Sequence, residues 1–591
     1  MFRCKSLFLF TLFIITTSFS FAQQNQLLKA TENELNRNTT KAKQTFSVFE
    51  LNQLLKVMEN ELNRSFQGLK NAGKEPLYFL QYEVIDEDVI TLSASYGTIT
   101  ANNHDKNRYL SVDARVGSYK LDNTHQLRGS YGFGGFEFYV PSYAQIPIDN
   151  DEFAIREVLW KATDEEFKKA QERIMKVKSE KETKVAEEDT SADFSKSPKV
   201  VYIGTEAKAS FDVASWLSRI KELSKIFKEY TWIYNSYITI TARENIQYLV
   251  NTDGTKIIDG VNRYRVSIYA DTKADDGMRL SLFRPFFSFS EQGLPGDEEI
   301  RMAISSLIND LAALRTAPLV DPYSGPAILE NKACAVYFHE IFGHRIESHR
   351  QKLEREGQTF KDKVGKSVLP DFISVYDDPT LSKYNGKDLN GYYTFDNEGV
   401  KAQRVTIVEN GILKNFLTTR SPIENFPISN GHGRRMYGQK VVARQGNLII
   451  ESKNQVSYDS LKKMLIAECK KQNKPYGLIF KDISGGFTST GRGYTQAFNV
   501  TPLLVQRVYQ DGREEVVRGV NVVGTPLVSF SKILATGDDY AIFNGTCGAE
   551  SGAVPVSGVA PSILTAEMEV EKKVKEQEKL PILPNPIGGA K

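Results

Sequence analysis

From Asn331 the chain reads NKACAVYFHEIFGHRIESHR, a helical pattern extending to about Glu356 in which His339 and His344 stand five residues apart. Each α-helical residue turns about 100°, so histidines four apart sit about 40° from one another, whereas five apart they diverge by about 140°. A regular helix would aim these two rings in different directions. Yet two imidazoles around Glu340, in the order H-E-x-x-x-H, are the side chains a zinc centre needs: neutral nitrogens to hold the cation and a carboxylate to take a proton from water. The spacing therefore predicts a wide or broken turn around Ile341 to His344. A π-bulge would restore a common face, and Gly343 stands where such a distortion is tolerated. Cys334, His339, His344 and His349 form a ladder of constant spacing, so they cannot all meet one ion. Cys334 and His349 read as a core thiol and a surface residue. A solvated helix face is the bland alternative for the whole motif.

The first residues, MFRCKSLFLFTLFIITTSFSFAQQ, combine a basic start at Arg3 and Lys5, an apolar run and a small-residue end at Ala22. That is the pattern of an export signal cut near Ala22, which predicts a periplasmic or secreted chain. Cys4 precedes the apolar run, so it cannot become the lipidated first residue of a mature lipoprotein. No later stretch approaches the ~20 apolar residues of a spanning helix. Without Arg3 and Lys5 the 75 basic residues become 73, against 73 acids. A neutral chain carries no electrostatic signature of nucleic-acid binding. Cys334, Cys469 and Cys547 remain after the signal, an odd number that leaves at least one thiol without an intramolecular partner. That thiol is either a metal ligand or an inert core residue.

NQLLKATENELNRN from Asn25 recurs as NQLLKVMENELNRS from Asn52, with three changes, and the leucines of each copy fall at helical spacing. This predicts duplicated N-terminal helices over 23–66. Strand-like stretches (LYFLQYEVI, VITLSASYG, YLSVDARVG, FEFYV) follow, separated by Asn, Asp and Gly turns. A helix then runs into a charged, exposed linker over 178–197. Further helices are predicted over 211–229 and from 298 to a stop at Pro318, further strands over 237–242 and 263–270, and DPYSGP at 321–326 reads as a turn. Mixed strands and helices without β-α alternation favour an α+β fold. We read two lobes: a mixed helix and antiparallel-sheet domain over 67–297, and a strand-rich domain over 298–575 that carries the metal helix. Residues 576–591 read as a tail.

The region from Asp321 to Val570 resembles the TldD/PmbA family of metallopeptidases. The matching stretches are DPYSGPAILE, HEIFGHRIE, FDNEGVKAQRVTIVENGILKNFLTTR, SNGHGRR and NGTCGAESGAVPV, in order over roughly 250 residues. The resemblance implies a two-lobed α+β fold and a third zinc ligand at Cys547. It also implies the catalytic, TldD-like subunit, because partner subunits lack the H-E-x-x-x-H. A site enclosed where two subunits meet follows from it, in a homodimer or with a metal-free paralogous subunit, as do unfolded peptides as substrates. The chain departs from the family at Gly431-His432-Gly433-Arg434-Arg435 and after Cys547-Gly548, which touches substrate preference.

The implied chemistry is peptide-bond hydrolysis with zinc on His339, His344 and Cys547 and with Glu340 as general base. His432, Arg434 and Arg435 are candidates for gripping a peptide carboxylate or oxyanion, or else side chains of a glycine-flanked turn. SGGFTSTGRGYTQAF, from Ser484, reads as strands and turns near a peptide channel. The rival reading is a non-catalytic peptide-binding scaffold with a structural zinc, whose shell Cys334, Glu347 or His349 would close.

Overall fold

The computed structural model describes residues 53–127, 143–183, 189–204, 210–353, 356–488, 490–491 and 498–573, with isolated positions between 580 and 586. The signal-like start, the first helix copy, FEFYV and nearly all of the predicted tail lie outside them. The second copy forms the helix Gln53–Leu69. Residues 58–591 group as one compact unit, and 1–57 as another.

An antiparallel sheet dominates the first half of the larger unit. Leu77–Ser95 pairs with Thr98–Val116 on one side and with Asn235–Asn251 on the other, and Lys256–Lys273 and Arg279–Ser288 continue the sheet. Tyr96 and Gly97 turn the first hairpin with positive φ of 46° and 75°, the conformation that suits the twist of a two-residue turn. The sequence breaks the first strand at Asp86-Glu87-Asp88; the structure runs straight through. Each acid meets a cation across the sheet: Asp86 accepts from Arg108 at 2.6 Å, Glu87 from Arg243 at 2.7 Å, and Asp88 pairs with Lys106 at 2.9 Å. Paired charges on neighbouring strands remove the reason to turn.

The helix over Glu152–Thr183 runs into the predicted linker, and from 189 follows a stretch without regular structure in which Asp189, Asp193 and Phe194 are buried. Phe194 is buried under the guanidinium of Arg420, 4.0 Å from its ring centroid. The helices Val213–Ser224 and Asp297–Thr316 then pack their apolar faces on the sheet, in one core with Trp216, Ile238 and Val266.

Two further sheets build the second half. A six-stranded sheet runs in the order Ile412–Leu413, Val405–Glu409, Ile373–Asp377, Asn447–Ser452, Gly552–Ala560, Ala541–Ala549. In the other, Tyr323–Leu329, Tyr476–Thr488, Phe498–Tyr509, Val520–Gly524 and Ile563–Lys572 pair in sequence, and the last returns to pair with the first. Tyr323 to Pro326 thus enter a strand, because Met568 to Val570 of the last strand pair with Tyr323 to Gly325. The helix Asn331–Ile341 lies against strands of both sheets, with Tyr337, Phe338 and Phe342 among the aromatic side chains at the centre of the core. The fold is α+β, with a sheet-and-helix lobe before a strand-rich one. No helix among the described residues is long and apolar enough to cross a membrane.

Arg435 ties the two halves together. Its guanidinium donates twice to Glu83 Oε2 in the first strand, at 2.7 and 3.1 Å, and both side chains are almost wholly buried. Removing one partner leaves the other charge buried and unpaired. Arg435→Ala is expected to cost about 3 kcal/mol or more in urea unfolding; a loss below 1 kcal/mol would show that water reaches Glu83 once the arginine is gone.

Candidate metal centre

The Asn331–Ile341 helix stops where its histidine spacing requires. Phe342 caps it at φ −99°, ψ −51°, and Gly343–Arg345 follows as a 3-10 turn with Arg345 N–H donating to Phe342 O at 2.9 Å. The turn is broken, as the spacing predicts, but by tightening into 3-10 geometry rather than by a π-bulge. Side chains take up the carbonyls this break frees: Arg345 donates to Ile341 O at 2.9 Å and Gln445 to His339 O at 3.3 Å. Gly343 is needed for space rather than for backbone freedom. A Cβ there would lie 1.9 Å from Gln445 Oε1.

The break turns His344 back toward His339, with ring centroids 5.1 Å apart. Cys547 arrives from the strand Ala541–Ala549, and its Sγ is 3.3 Å from His344 Nε2. One ligand atom from each of the three residues lies within 4.8 Å of the others, and all three residues are buried. Zinc–nitrogen bonds of about 2.0–2.1 Å and zinc–sulfur bonds of about 2.3 Å place such atoms about 3.5 Å apart in a tetrahedron. The donors therefore fit zinc in both kind and spacing.

The charges agree with that fit. Burial alone would push the Cys547 thiol up, but His339 and His344 overturn it and hold the sulfur down at about 4. Burial would push His344 down, but Glu347 and Cys547 hold it up at about 10. His339 is raised in the same way, against its burial, mainly by Cys547. Glu340 sits beside them, its Oε2 3.9 Å from His344 Nε2, with its carboxyl raised by burial and only partly offset by the imidazoles. The Gly486 N–H donates to the same carboxylate, so the Gly/Ser/Thr-rich stretch does reach the site. Positions 489 and 492–497 of that stretch lie outside the described residues.

Behind the ligands stands a network that sequence reasoning underrates. Glu347 is fully buried; its Oε2 lies 3.2 Å from His344 Nδ1 and accepts from Arg350 Nε at 3.0 Å. His344 and Arg350 hold this carboxylate down at about 2 although burial pushes it up. Arg350 also donates to Glu550 at 2.8 Å, and Glu550 meets His349. Arg444 donates to Cys547 O at 2.8 Å. Glu347 thus acts on the far nitrogen of the His344 ring and does not join the ligand atoms. His349 is taken by Glu550, and Cys334 lies in the aromatic core. Glu347 stands three residues after His344, one helical turn away, and that spacing was the available signal. Nothing in the sequence marks Arg444 or Gln445, about a hundred residues distant.

The candidate substrate grips are elsewhere engaged. His432 is fully buried, with Nε2 3.2 Å from Asp377 Oδ1 and Nδ1 3.0 Å from Asn430 Oδ1. Arg434 donates to Gln445 O at 2.6 Å and lies over the Tyr393 ring, and Arg435 is bound to Glu83. A glycine-flanked turn exposes its side chains only when no sheet covers it; here the first lobe covers Arg435 and the end of the strand Ile373–Asp377 covers His432.

The PmbA/TldA metallopeptidase C-terminal domain profile matches residues 322–572, the stretch that holds all three candidate ligands. Residues 322–572 belong to the TldD/PmbA family. A metalloprotease of Archaeoglobus fulgidus is 27% identical over 268 residues, 45% of this chain and 56% of the relative. A zinc metalloprotease TldD homolog of Saccharolobus solfataricus is 24% identical over 250 residues, 42% of this chain and 51% of the relative. The chain spans about half the length of these two relatives. The crystal structure of TldE from Thermococcus kodakarensis shares the fold, with a TM-score of 0.57 and 12% identity over 87% of this chain and all of that one. The matched region is a metallopeptidase-family domain.

Two measurements follow. In the metal-free protein the thiolate absorbance of Cys547 is expected to persist down to about pH 4 and to vanish in Cys547→Ser; loss already near pH 8 would mean that the imidazoles do not hold the sulfur charged. Glu347→Gln is expected to weaken zinc binding by about tenfold or more in a chelator competition, with unchanged affinity showing that His344 needs no orienting partner.

Proposed function

We propose that this chain is a zinc-dependent peptidase that hydrolyses peptide bonds of unfolded peptides or small proteins. The observation that carries the reading is the convergence of His339, His344 and Cys547 within 4.8 Å, with the Glu340 carboxylate alongside. These residues would hold the metal, which when bound supplies Lewis acidity toward water and the peptide carbonyl. Glu340 accepts the proton of the attacking water on a carboxylate oxygen and returns it to the leaving amine. Its burial keeps its proton affinity above that of an exposed glutamate, which helps the return step. Glu347 holds the Nδ1 proton of His344, so that Nε2 keeps its lone pair for the metal. The thiolate brings negative charge to the centre and tempers its acidity, so turnover is modest.

The same reading places the mature chain outside the cytoplasm after cleavage near Ala22. It works as a dimer, either with itself or with a metal-free paralogous subunit. The family resemblance and the signal-like first residues support both statements. Glu340→Gln is the decisive variant. It should abolish cleavage of a fluorogenic unfolded peptide while the protein retains its zinc, and a variant that still cleaves removes Glu340 from the mechanism. The base must be deprotonated to act and its pKa is raised, so the wild-type rate should climb with pH above the ordinary carboxylate range. A rate already at its plateau at pH 4 would contradict that assignment.

A further inference from the structure

Lys332, Val336 and Glu340 fall four residues apart on the Asn331–Ile341 helix and so share one face. Lys332 and Val336 line a cavity of about 350 Å3 that Phe286, Ile483 and Phe543 also wall. Three elements run from this cavity to the candidate metal centre. The helix leads from Lys332 to Glu340, eight residues or about 12 Å. The strand Tyr476–Thr488 leads from Ile483 to Gly486, whose N–H meets Glu340. The strand Ala541–Ala549 leads from Phe543 to Cys547, four residues or about 13 Å. An extended peptide advances about 3.3 Å per residue, so this path holds about three to four residues.

The cavity lining carries three cations, Arg284, Lys332 and Lys481, against two acids, Glu330 and Asp482. Asp482 pairs with Arg284 at 3.4 Å and feels Lys332, while Glu330 accepts from the Tyr458 hydroxyl at 2.5 Å and feels Lys481; neither lysine is hydrogen-bonded to these acids. Arg284 is itself bound to Asp310 at 2.6 Å, while Lys332 and Lys481 add two further positive charges to the lining. Lys332 is solvent-exposed, so a chain can run past it rather than end there.

We infer that this cavity is a substrate subsite, taking an acidic side chain beside an apolar one, about three residues from the bond that is cut. Phe286, Val336 and Phe543 bury the apolar neighbour, and Lys332 with Lys481 receives the carboxylate. The inference rests on the peptidase reading, because it takes Glu340 as the point of attack.

The test uses two fluorescent peptides that differ only in Glu or Lys at the position three residues from the cleaved bond, each also made with an amidated C-terminus. Binding is read by anisotropy on full-length Glu340→Gln protein loaded with zinc, and cleavage is read on the wild type. The Glu peptide should bind about fivefold or more tighter than the Lys peptide, the scale of a partly screened ion pair. Lys332→Glu in the same background should invert that order. Equal binding of the two peptides, no change with Lys332→Glu, or a preference that disappears on amidation would each overturn the subsite. Wild-type cleavage without discrimination removes the subsite and leaves the peptidase reading intact. Discrimination that Lys332→Glu inverts, in a protein that cleaves neither peptide, removes the peptidase reading alone.

Discussion

Everything at the site depends on a helix that ends one residue after Glu340. Had the chain continued as a regular helix, His344 would face away from His339, and Cys547 would have had one imidazole beside it. The stop at Ile341 and the 3-10 turn after it bring both rings to one sulfur, and that shared contact sets the local charges: a thiolate held at about 4 between two raised histidines. The break would be costly if its carbonyls were left unpaired. Arg345 and Gln445 cover them, and the absence of a side chain at Gly343 lets Gln445 come close enough to do so.

The second layer shows how a buried cluster of charges is kept in register. From His344 the contacts pass to Glu347, Arg350, Glu550 and His349, acid and base in alternation, so that each buried charge has an opposite neighbour. The chain that supplies Glu550 also supplies Cys547, three residues earlier. Arg350, in the middle of this series, therefore also holds the end of the strand that brings the sulfur. Arg444 holds the same strand by the carbonyl of Cys547. Position, not strength, is what this layer adds.

Local pattern revealed what local physics decides. The helices at 213–224 and 297–316 follow from apolar spacing and from Pro318, and the broken turn follows from an angle of rotation. Distant pairing stayed hidden. DPYSGP has the composition of a turn, yet a strand some 240 residues later draws Tyr323 to Gly325 into a strand. The acids at 86–88 look like a loop until Arg108 and Arg243 stand opposite them. His432, Arg434 and Arg435 look available because glycine surrounds them, and only Asp377, Gln445 and Glu83 show that they are occupied. Cys547 could be singled out by family resemblance alone, since two hundred residues of separation say nothing of proximity.

The low proton affinity of Cys547 has a consequence for the empty protein. A sulfur kept ionised at neutral pH is the form that peroxides and disulfides attack, and the first step on that ladder removes it as a ligand. Cys334 and Cys469, whose thiols burial pushes up, are spared. The chain that has not yet taken up its cation is thus also the chain most open to damage, and its useful lifetime depends on which arrives first, the ion or the oxidant.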